Sequence, residues 1–119
     1  MIRMKFNSSV TARILRIDGW EQLDFPAMPR FQRPTGTPGW CEGLWNVPDF
    51  THAAESQKLI ARVEAAGATW VVRPDDEEEG FICEISDFGK VFVGEGEFST
   101  EAIAAAFVLW AETKIWNER

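Results

Sequence analysis

The chain has 119 residues, which is enough for one compact domain and too few for two of ordinary size. Hydrophobic residues make up 45 % and charged residues 26 % of the chain, and this balance excludes wholesale disorder. The formal net charge is −7, because 19 acidic residues oppose 12 basic ones.

The sequence predicts a cytoplasmic protein with no cofactor, no metal ion and no membrane partner. The first six residues carry charge but are not followed by the apolar stretch of a secretory signal. The longest apolar run, residues 102–111, is about half as long as a membrane-spanning helix requires. Cys41 and Cys83 make neither a disulfide framework nor a cluster with metal-ligand spacing.

Residues 1–23 are predicted to form strands. Ile2, Met4 and Phe6 alternate with basic residues, which is the pattern of a half-buried strand. Residues 10–17 are rich in β-branched side chains and follow an Asn-Ser-Ser turn. We therefore expect the two runs to pair as a hairpin.

Residues 24–49 form a Pro- and Trp-rich segment, predicted to be a long irregular loop. It contains five prolines together with large apolar side chains, among them Trp40 and Trp45. A solvated linker would not hold so many apolar groups, so the segment is expected to pack on the domain or on a partner. Loops of this length are often functional.

Residues 50–119 predict an α-β-β-β-α unit. The expected elements are a helix over 50–66, strands over 69–73, 81–85 and 90–93, and a helix that begins at Ser99. The last helix is apolar nearly all round, so it should be covered on more than one side. The prediction for the chain is a single α+β domain, in which an antiparallel sheet of three to five strands packs with two helices.

The charge is strongly asymmetric along the chain. Residues 1–40 carry six bases against three acids, whereas residues 41–119 carry six bases against sixteen acids. Ten acids lie between Asp75 and Glu101, and Lys90 is the one base among them. Such a surface repels phosphates, so direct nucleic-acid binding is not expected, but it could attract a basic groove of another protein. The alternative is a solvated surface that keeps a small protein soluble.

The candidate partner-binding residues combine this acidic surface with exposed aromatic anchors. They are Asp75, Asp76, Glu77, Glu78, Glu79, Glu95, Glu97, Trp40 and Trp45. A metal site is the alternative for the acidic run, but consecutive carboxylates splay apart and lack the spacing of a calcium loop. The tryptophans could equally form a lid over the core.

An enzyme remains the second hypothesis. His52 is the one histidine, and Asp49 and Glu55 are its neighbours in sequence. Together they are the plausible acid–base groups of a hydrolase or transferase that acts on a small ligand under the Pro-rich loop. A solvent-facing or capping histidine is the simpler interpretation, and no triad can be argued. The Gly94-Glu95-Gly96 segment is rejected as a phosphate loop because its acids would repel phosphate.

The order of elements over residues 45–114 resembles a small α-β-α sandwich domain found among bacteriophage and prophage proteins. The resemblance is carried by Trp45-Asn46 with Pro48, a Trp-Val-Val-Arg strand from Trp70, and a Ser-Thr-x-Ala-Ile helix start at Ser99. Residues 47–51 depart from the acidic Asp-Asp-Gly stretch of that pattern. The resemblance implies a phage or prophage origin, and small acidic phage proteins often interfere with host machinery, anti-CRISPR inhibitors included. It supplies no catalytic residue.

The leading functional prediction is therefore a non-enzymatic acidic phage or prophage accessory protein. It is expected to bind and inhibit a host nucleic-acid-handling defence complex, in the manner of an anti-CRISPR. Its partner would be a host protein or ribonucleoprotein complex with a basic surface. The alternatives are the enzyme described above and a self-associating assembly protein that dimerises through residues 100–116.

Overall fold

A computed structural model of the chain describes residues 2–23, 30–32, 42–43 and 48–117. The helices are α1 (Val10–Ile17), α2 (Ala53–Ala65) and α3 (Ser99–Asn117). The strands are β1 (Ile2–Lys5), β2 (Glu21–Leu23), β3 (Arg30–Gln32), β4 (Glu42–Gly43), β5 (Thr69–Pro74), β6 (Phe81–Asp87) and β7 (Lys90–Gly96). Among the described residues, no helix is long and apolar enough to cross a membrane.

The main sheet has four strands in the order β1-β7-β6-β5. Strands β5, β6 and β7 pair antiparallel, as the turn residues between them predict. Strand β1 instead runs parallel to β7, with Ile2 opposite Phe92 and Lys5 opposite Glu95. The protein is therefore α+β as predicted, but the prediction of an antiparallel sheet is wrong for this pair and the sheet is mixed.

The region predicted as a second N-terminal strand is helix α1. Val10, Ile14 and Leu15 are fully buried, and the first two are spaced by one helical turn. The β-branched side chains of residues 10–17 suggested a strand, but burial of this face outweighs the modest β-propensity of the residues. Because these residues form a helix, no hairpin with β1 can form. The described residues thus contain three helices rather than two.

A second, three-stranded antiparallel sheet has the order β2-β3-β4. Strands β3 and β4 lie within residues 24–49, which the sequence predicted as an irregular loop. Phe31 pairs with Gln22 on one side and with Glu42 on the other. The described parts of that segment therefore contain regular structure.

Helix α2 begins three residues later than predicted and presents one face to the core. Leu59 and Val63, separated by one turn, are buried. Gly67 follows the helix with a φ of +82°, a conformation that glycine adopts at low cost. The turn before the helix is held by Asp49, whose Oδ1 accepts hydrogen bonds from the Thr51 amide at 3.0 Å and hydroxyl at 2.6 Å.

Helix α3 is the centre of the core. It contacts all four strands of the main sheet and also helices α1 and α2. Its small buried side chains include Ala102, Ala105 and Ala106, and they lie against Gly94 of β7. A Cβ atom on Gly94 would overlap the backbone of α3, so this glycine permits the close approach of helix and sheet. The prediction that the helix is covered on more than one side is confirmed.

Candidate functional site

One end of the main sheet gathers the acidic side chains that the sequence singled out. The turn between β5 and β6 closes with a hydrogen bond from the Asp75 amide to the Gly80 carbonyl at 3.0 Å. Phe81, which follows the turn, pairs with Gly96 at the end of β7. The acidic turn and the end of β7 therefore lie side by side. We call this surface the acidic end: Asp75, Asp76, Glu77, Glu78, Glu79, Glu95 and Glu97.

Three basic side chains oppose part of the acidic end. Arg3 binds Glu95 at 2.6 Å, Lys5 lies 3.7 Å from Glu78, and Arg73 lies 3.6 Å from Asp76. The first two come from β1, which reaches this surface because it pairs with β7. In the sequence Lys90 is the one base between Asp75 and Glu101, but it starts β7 and lies at the other end of the sheet. The acidic end is thus less negative than the sequence alone suggests.

Several carboxylates at the acidic end remain free for a partner. Glu77, Glu79 and Glu97 are exposed, and none has an ion-pair partner in the described part of the chain. The side chain of Asp76 is 91 % exposed and that of Glu78 is 66 % exposed, so their ion pairs are solvated and weak. A partner with basic side chains could engage all five carboxylates.

Glu95 differs from its neighbours because it belongs to an internal ion pair. The hydrogen bond from Arg3 lowers the pKa of the Glu95 carboxyl, and the same contact raises the pKa of Arg3. Negative charge on Asp75 and Glu77 adds to the rise in the Arg3 pKa. This pair secures β1 to the acidic end, so Glu95 contributes to the architecture of the surface more than to its free charge.

An aromatic side chain that sequence analysis did not assign to a binding site stands beside the acidic end. A hydrophobic staple with Ile103 would cover Phe98 at the start of α3, but the ring is 59 % exposed. The turn is instead fixed by Glu101, whose Oε1 accepts hydrogen bonds from the amides of Glu97 at 2.9 Å and Phe98 at 3.3 Å. The sequence could have indicated Phe98 as a binding residue, because it directly follows the acidic residue Glu97. Trp40 and Trp45 lie outside the described residues.

The residues of the enzyme hypothesis are only partly brought together. Asp49 and His52 line a groove of about 600 Å³ between the first turns of α2 and α3, together with Ser99 and Thr100. Glu55 is absent from this lining and instead pairs with Lys58 at 3.1 Å.

The groove does not join these side chains into a relay. The hydrogen bonds from Thr51 lower the pKa of Asp49, and both of them are accepted by Oδ1 of its carboxylate. The backbone amide of His52 donates a hydrogen bond to the Asp49 carbonyl at 3.0 Å, but within the described residues no side-chain hydrogen bond links His52 to Asp49 or to Ser99. A nucleophile, a base and an orienting acid connected in series are the usual requirement for acyl transfer.

Metal and thiol chemistry gain no support from the described side chains. No group of three or more His, Cys, Asp or Glu residues among them is placed to hold a metal ion. Cys83 is fully buried, and this burial raises the pKa of its thiol to about 12. Such a thiol stays protonated at neutral pH, and Cys83 is a packing residue of the core.

Comparison of the chain with protein-family models, with curated proteins and with solved structures found no match. The phage-protein resemblance of residues 45–114 therefore stays a prediction. The acidic end concentrates exposed carboxylates on one surface of the described residues, since residues 76–79 and Glu97 are all exposed.

Proposed function

We propose that this chain is a non-enzymatic binding protein whose acidic end docks on the basic surface of a partner. The observation that supports this is the exposure of Glu77, Glu79 and Glu97 on one end of the sheet without ion-pair partners in the described residues. Exposed charge of one sign raises association rates with an oppositely charged surface and disfavours partners of like charge. The partner is therefore basic, and free nucleic acid is disfavoured.

A basic surface that normally holds nucleic acid is the best complement to a compact cluster of carboxylates. We infer that the partner is a host protein or ribonucleoprotein complex of this kind, and that the chain inhibits it by occupying its nucleic-acid groove. The resemblance of residues 45–114 to phage and prophage domains supports a host defence complex as the target, and we therefore propose an anti-CRISPR-like action in the bacterial cytoplasm.

Phe98 would supply an apolar anchor beside the charges. Interfaces take most of their binding energy from a few aromatic or basic side chains that become fully desolvated. Phe98 stands next to Glu97 and is more than half exposed, so a partner can bury its ring while its bases meet the carboxylates. Trp40 and Trp45 are proposed as further anchors.

The test is a tagged pull-down from the lysate of a bacterium that carries a CRISPR system, read by mass spectrometry. Two double variants, E77Q/E79Q and E21Q/E64Q, remove the same amount of negative charge from exposed residues, at the acidic end and away from it. We expect wild type and E21Q/E64Q to recover one stoichiometric complex that is released as salt rises, and E77Q/E79Q to lose it. Equal recovery by both double variants, or recovery of the bait alone, would overturn the proposal for the systems sampled.

A second pair of variants tests the aromatic anchor. Phe98 and Phe88 are both exposed phenylalanines, but Phe88 lies in the β6–β7 turn at the opposite end of the sheet. Phe98→Ala should weaken capture of the complex about tenfold or more, whereas Phe88→Ala should leave it within about twofold. Equal effects of the two substitutions would contradict a role for Phe98 in the interface.

A further inference from the structure

A second surface with the character of a binding site lies between α1 and the C-terminal part of α3. It consists of two adjoining grooves of about 240 Å³ each, which share Ile17 and Ile115 as their floor. The first also has Arg16 and Trp116 in its lining, and the second has Lys114. We call the two together the α1–α3 groove.

The α1–α3 groove lies far from the acidic end. Helix α3 begins just after β7 ends, so its first turn lies beside Glu97. Eleven positions later, Trp110 is hydrogen-bonded to Asp87, which precedes the turn between β6 and β7 at the other end of the sheet. Trp116 lies almost two helical turns beyond Trp110. The groove is therefore independent of the proposed docking surface.

One wall of the groove is a large exposed aromatic ring. Trp116 is 74 % exposed, the highest value among the exposed large hydrophobic side chains of the described residues. It shares a helix face with Glu112 and Ile115, and α1 presents Arg13, Arg16 and Ile17 at the same spacing. An exposed indole next to two isoleucines forms an apolar surface, and a ligand that covers it gains binding free energy.

The rim of the groove carries unpaired positive charge. Residues 2–21 and 48–116 contain nine basic side chains. Six of them form ion pairs with carboxylates: Arg3, Lys5, Arg13, Lys58, Arg62 and Arg73. The other three, Arg16, Lys90 and Lys114, have no carboxylate partner among these residues, and two of them line the groove. Lys114 Nζ lies 5.3 Å from the centre of the Trp110 ring, a cation–π contact that does not neutralise its charge. Acids outnumber bases by seven in this chain, so unpaired bases beside an apolar groove indicate a site for an external anion.

We propose that the α1–α3 groove binds a small organic anion with a flat apolar body, of the aromatic carboxylate or sulfonate class. The ring system lies against Trp116, Ile17 and Ile115, and the acidic group is held by Arg16 and Lys114. Arg13 does not supply free charge, because Glu112 binds it at 3.1 Å through Nε and again through a second nitrogen. Its role is to hold α1 and α3 at the separation that forms the groove.

The size of the groove favours a small molecule over a macromolecule. Each of the two adjoining grooves has a volume of about 240 Å³. Together they therefore fall within the range of small-ligand pockets, which starts at about 300 Å³. A second copy of the chain is the other occupant with suitable charge, but two copies of net charge −7 repel each other.

The test uses naphthalene-1-sulfonate as the charged probe and 1-naphthalenemethanol as its neutral counterpart, each titrated into the full chain by calorimetry. Wild type should bind the sulfonate saturably, and about tenfold more tightly than the alcohol. Arg16→Gln and Trp116→Ala should each weaken sulfonate binding about tenfold. Lys90→Gln and Trp70→Ala are the matched controls. Lys90 is the third base without a carboxylate partner, and Trp70 is 41 % exposed on β5. Both variants should bind the sulfonate within twofold of wild type.

Equal binding by Arg16→Gln and wild type, equal affinity for the two probes, or no saturable binding would each overturn the proposal. Thermal unfolding of every variant separates loss of the site from loss of the fold. Light scattering across a range of protein concentrations tests the alternative that a second copy of the chain occupies the groove. Self-association that Trp116→Ala abolishes and the sulfonate does not displace would assign the groove to a second copy instead.

Discussion

The indole Nε1 of Trp110 donates a hydrogen bond to Oδ2 of Asp87 at 2.9 Å, and this contact joins the central helix to the far end of the sheet. The other oxygen of the same carboxylate accepts the backbone amide of Phe88 at 2.9 Å. Trp110 is 3 % exposed, so its N–H has little access to water. One carboxylate therefore fixes both the β6–β7 turn and the direction in which α3 continues toward Trp116.

Asp87→Ala should destabilise the fold by about 1–3 kcal/mol, because it leaves the buried indole N–H without an acceptor. Asp76→Ala is the matched control, since that side chain is 91 % exposed and its ion pair contributes little. Urea unfolding followed by tryptophan fluorescence measures both. A loss of stability no larger for Asp87→Ala than for Asp76→Ala would show that the hydrogen bond to Trp110 does not stabilise the protein.

The β6–β7 turn offers a stabilising substitution at Phe88. Phe88 and Gly89 have φ values of 56° and 70°, the left-handed pair that a two-residue hairpin turn requires. Asparagine adopts this conformation more readily than phenylalanine, whose ring is already half exposed and loses little packing. Phe88→Asn should raise the unfolding free energy by about 0.5–1 kcal/mol.

Phe88→Ala is the control for that substitution. It removes the same ring, but alanine adopts a positive φ less readily than asparagine does. Thermal melts of the three proteins provide the comparison. If the alanine and asparagine variants have the same melting temperature, strain at this turn contributes nothing to stability.

Gly94 is the position where the helix–sheet packing is most sensitive. A methyl group there would overlap the backbone of Ala102 and Ala106, neither of which can move without displacing α3. Gly94→Ala should cost about 3 kcal/mol or more. Gly89→Ala is the control, since its Cβ would meet open space and the cost is limited to about 1–2 kcal/mol from the positive φ. Equal unfolding midpoints for the two variants would mean that α3 is less tightly packed on β7.

The C-terminal half of the fold was predictable because its signals are local. The Pro74–Gly80 turn and the Asp87–Gly89 turn mark hairpins whose strands are neighbours in sequence, and Gly67 marks the end of a helix. The pairing of β1 with β7 has no such signal. Its partners are separated by about ninety residues, and the contact depends on burial of a sheet edge rather than on any turn.

The two candidate surfaces also differ in whether local sequence signals predict them. The carboxylates of the acidic end are visible as a run in the sequence, but their opposition by Arg3 and Lys5 depends on the β1–β7 pairing. The α1–α3 groove was missed because residues 10–17 were predicted as a strand. In a strand, Arg13 and Ile17 are too far apart to line one groove, whereas in a helix they are one turn apart.

The Arg3–Glu95 ion pair gives a pH dependence with a defined sign. The pKa of Glu95 is lowered in the folded state, from an unfolded value of about 4.3, because Arg3 binds the ionised form. The contribution of the pair is therefore present above the unfolded pKa and is lost as the pH falls through the folded pKa. Wild type should exceed Glu95→Gln in unfolding free energy at neutral pH, and the difference should shrink as the carboxyl is protonated.

Urea unfolding of wild type, Glu95→Gln and Glu97→Gln from about pH 7 down to about pH 2.5 measures this difference across the range where carboxyls titrate. Glu97 is exposed and has no ion-pair partner in the described residues, so its substitution should change stability little at any pH. A gap between wild type and Glu95→Gln that persists undiminished at the acid end would mean that the glutamate acts through packing rather than charge. A gap that closes would establish the ion pair as the contact that secures β1, and with it Arg3 and Lys5, to the acidic end.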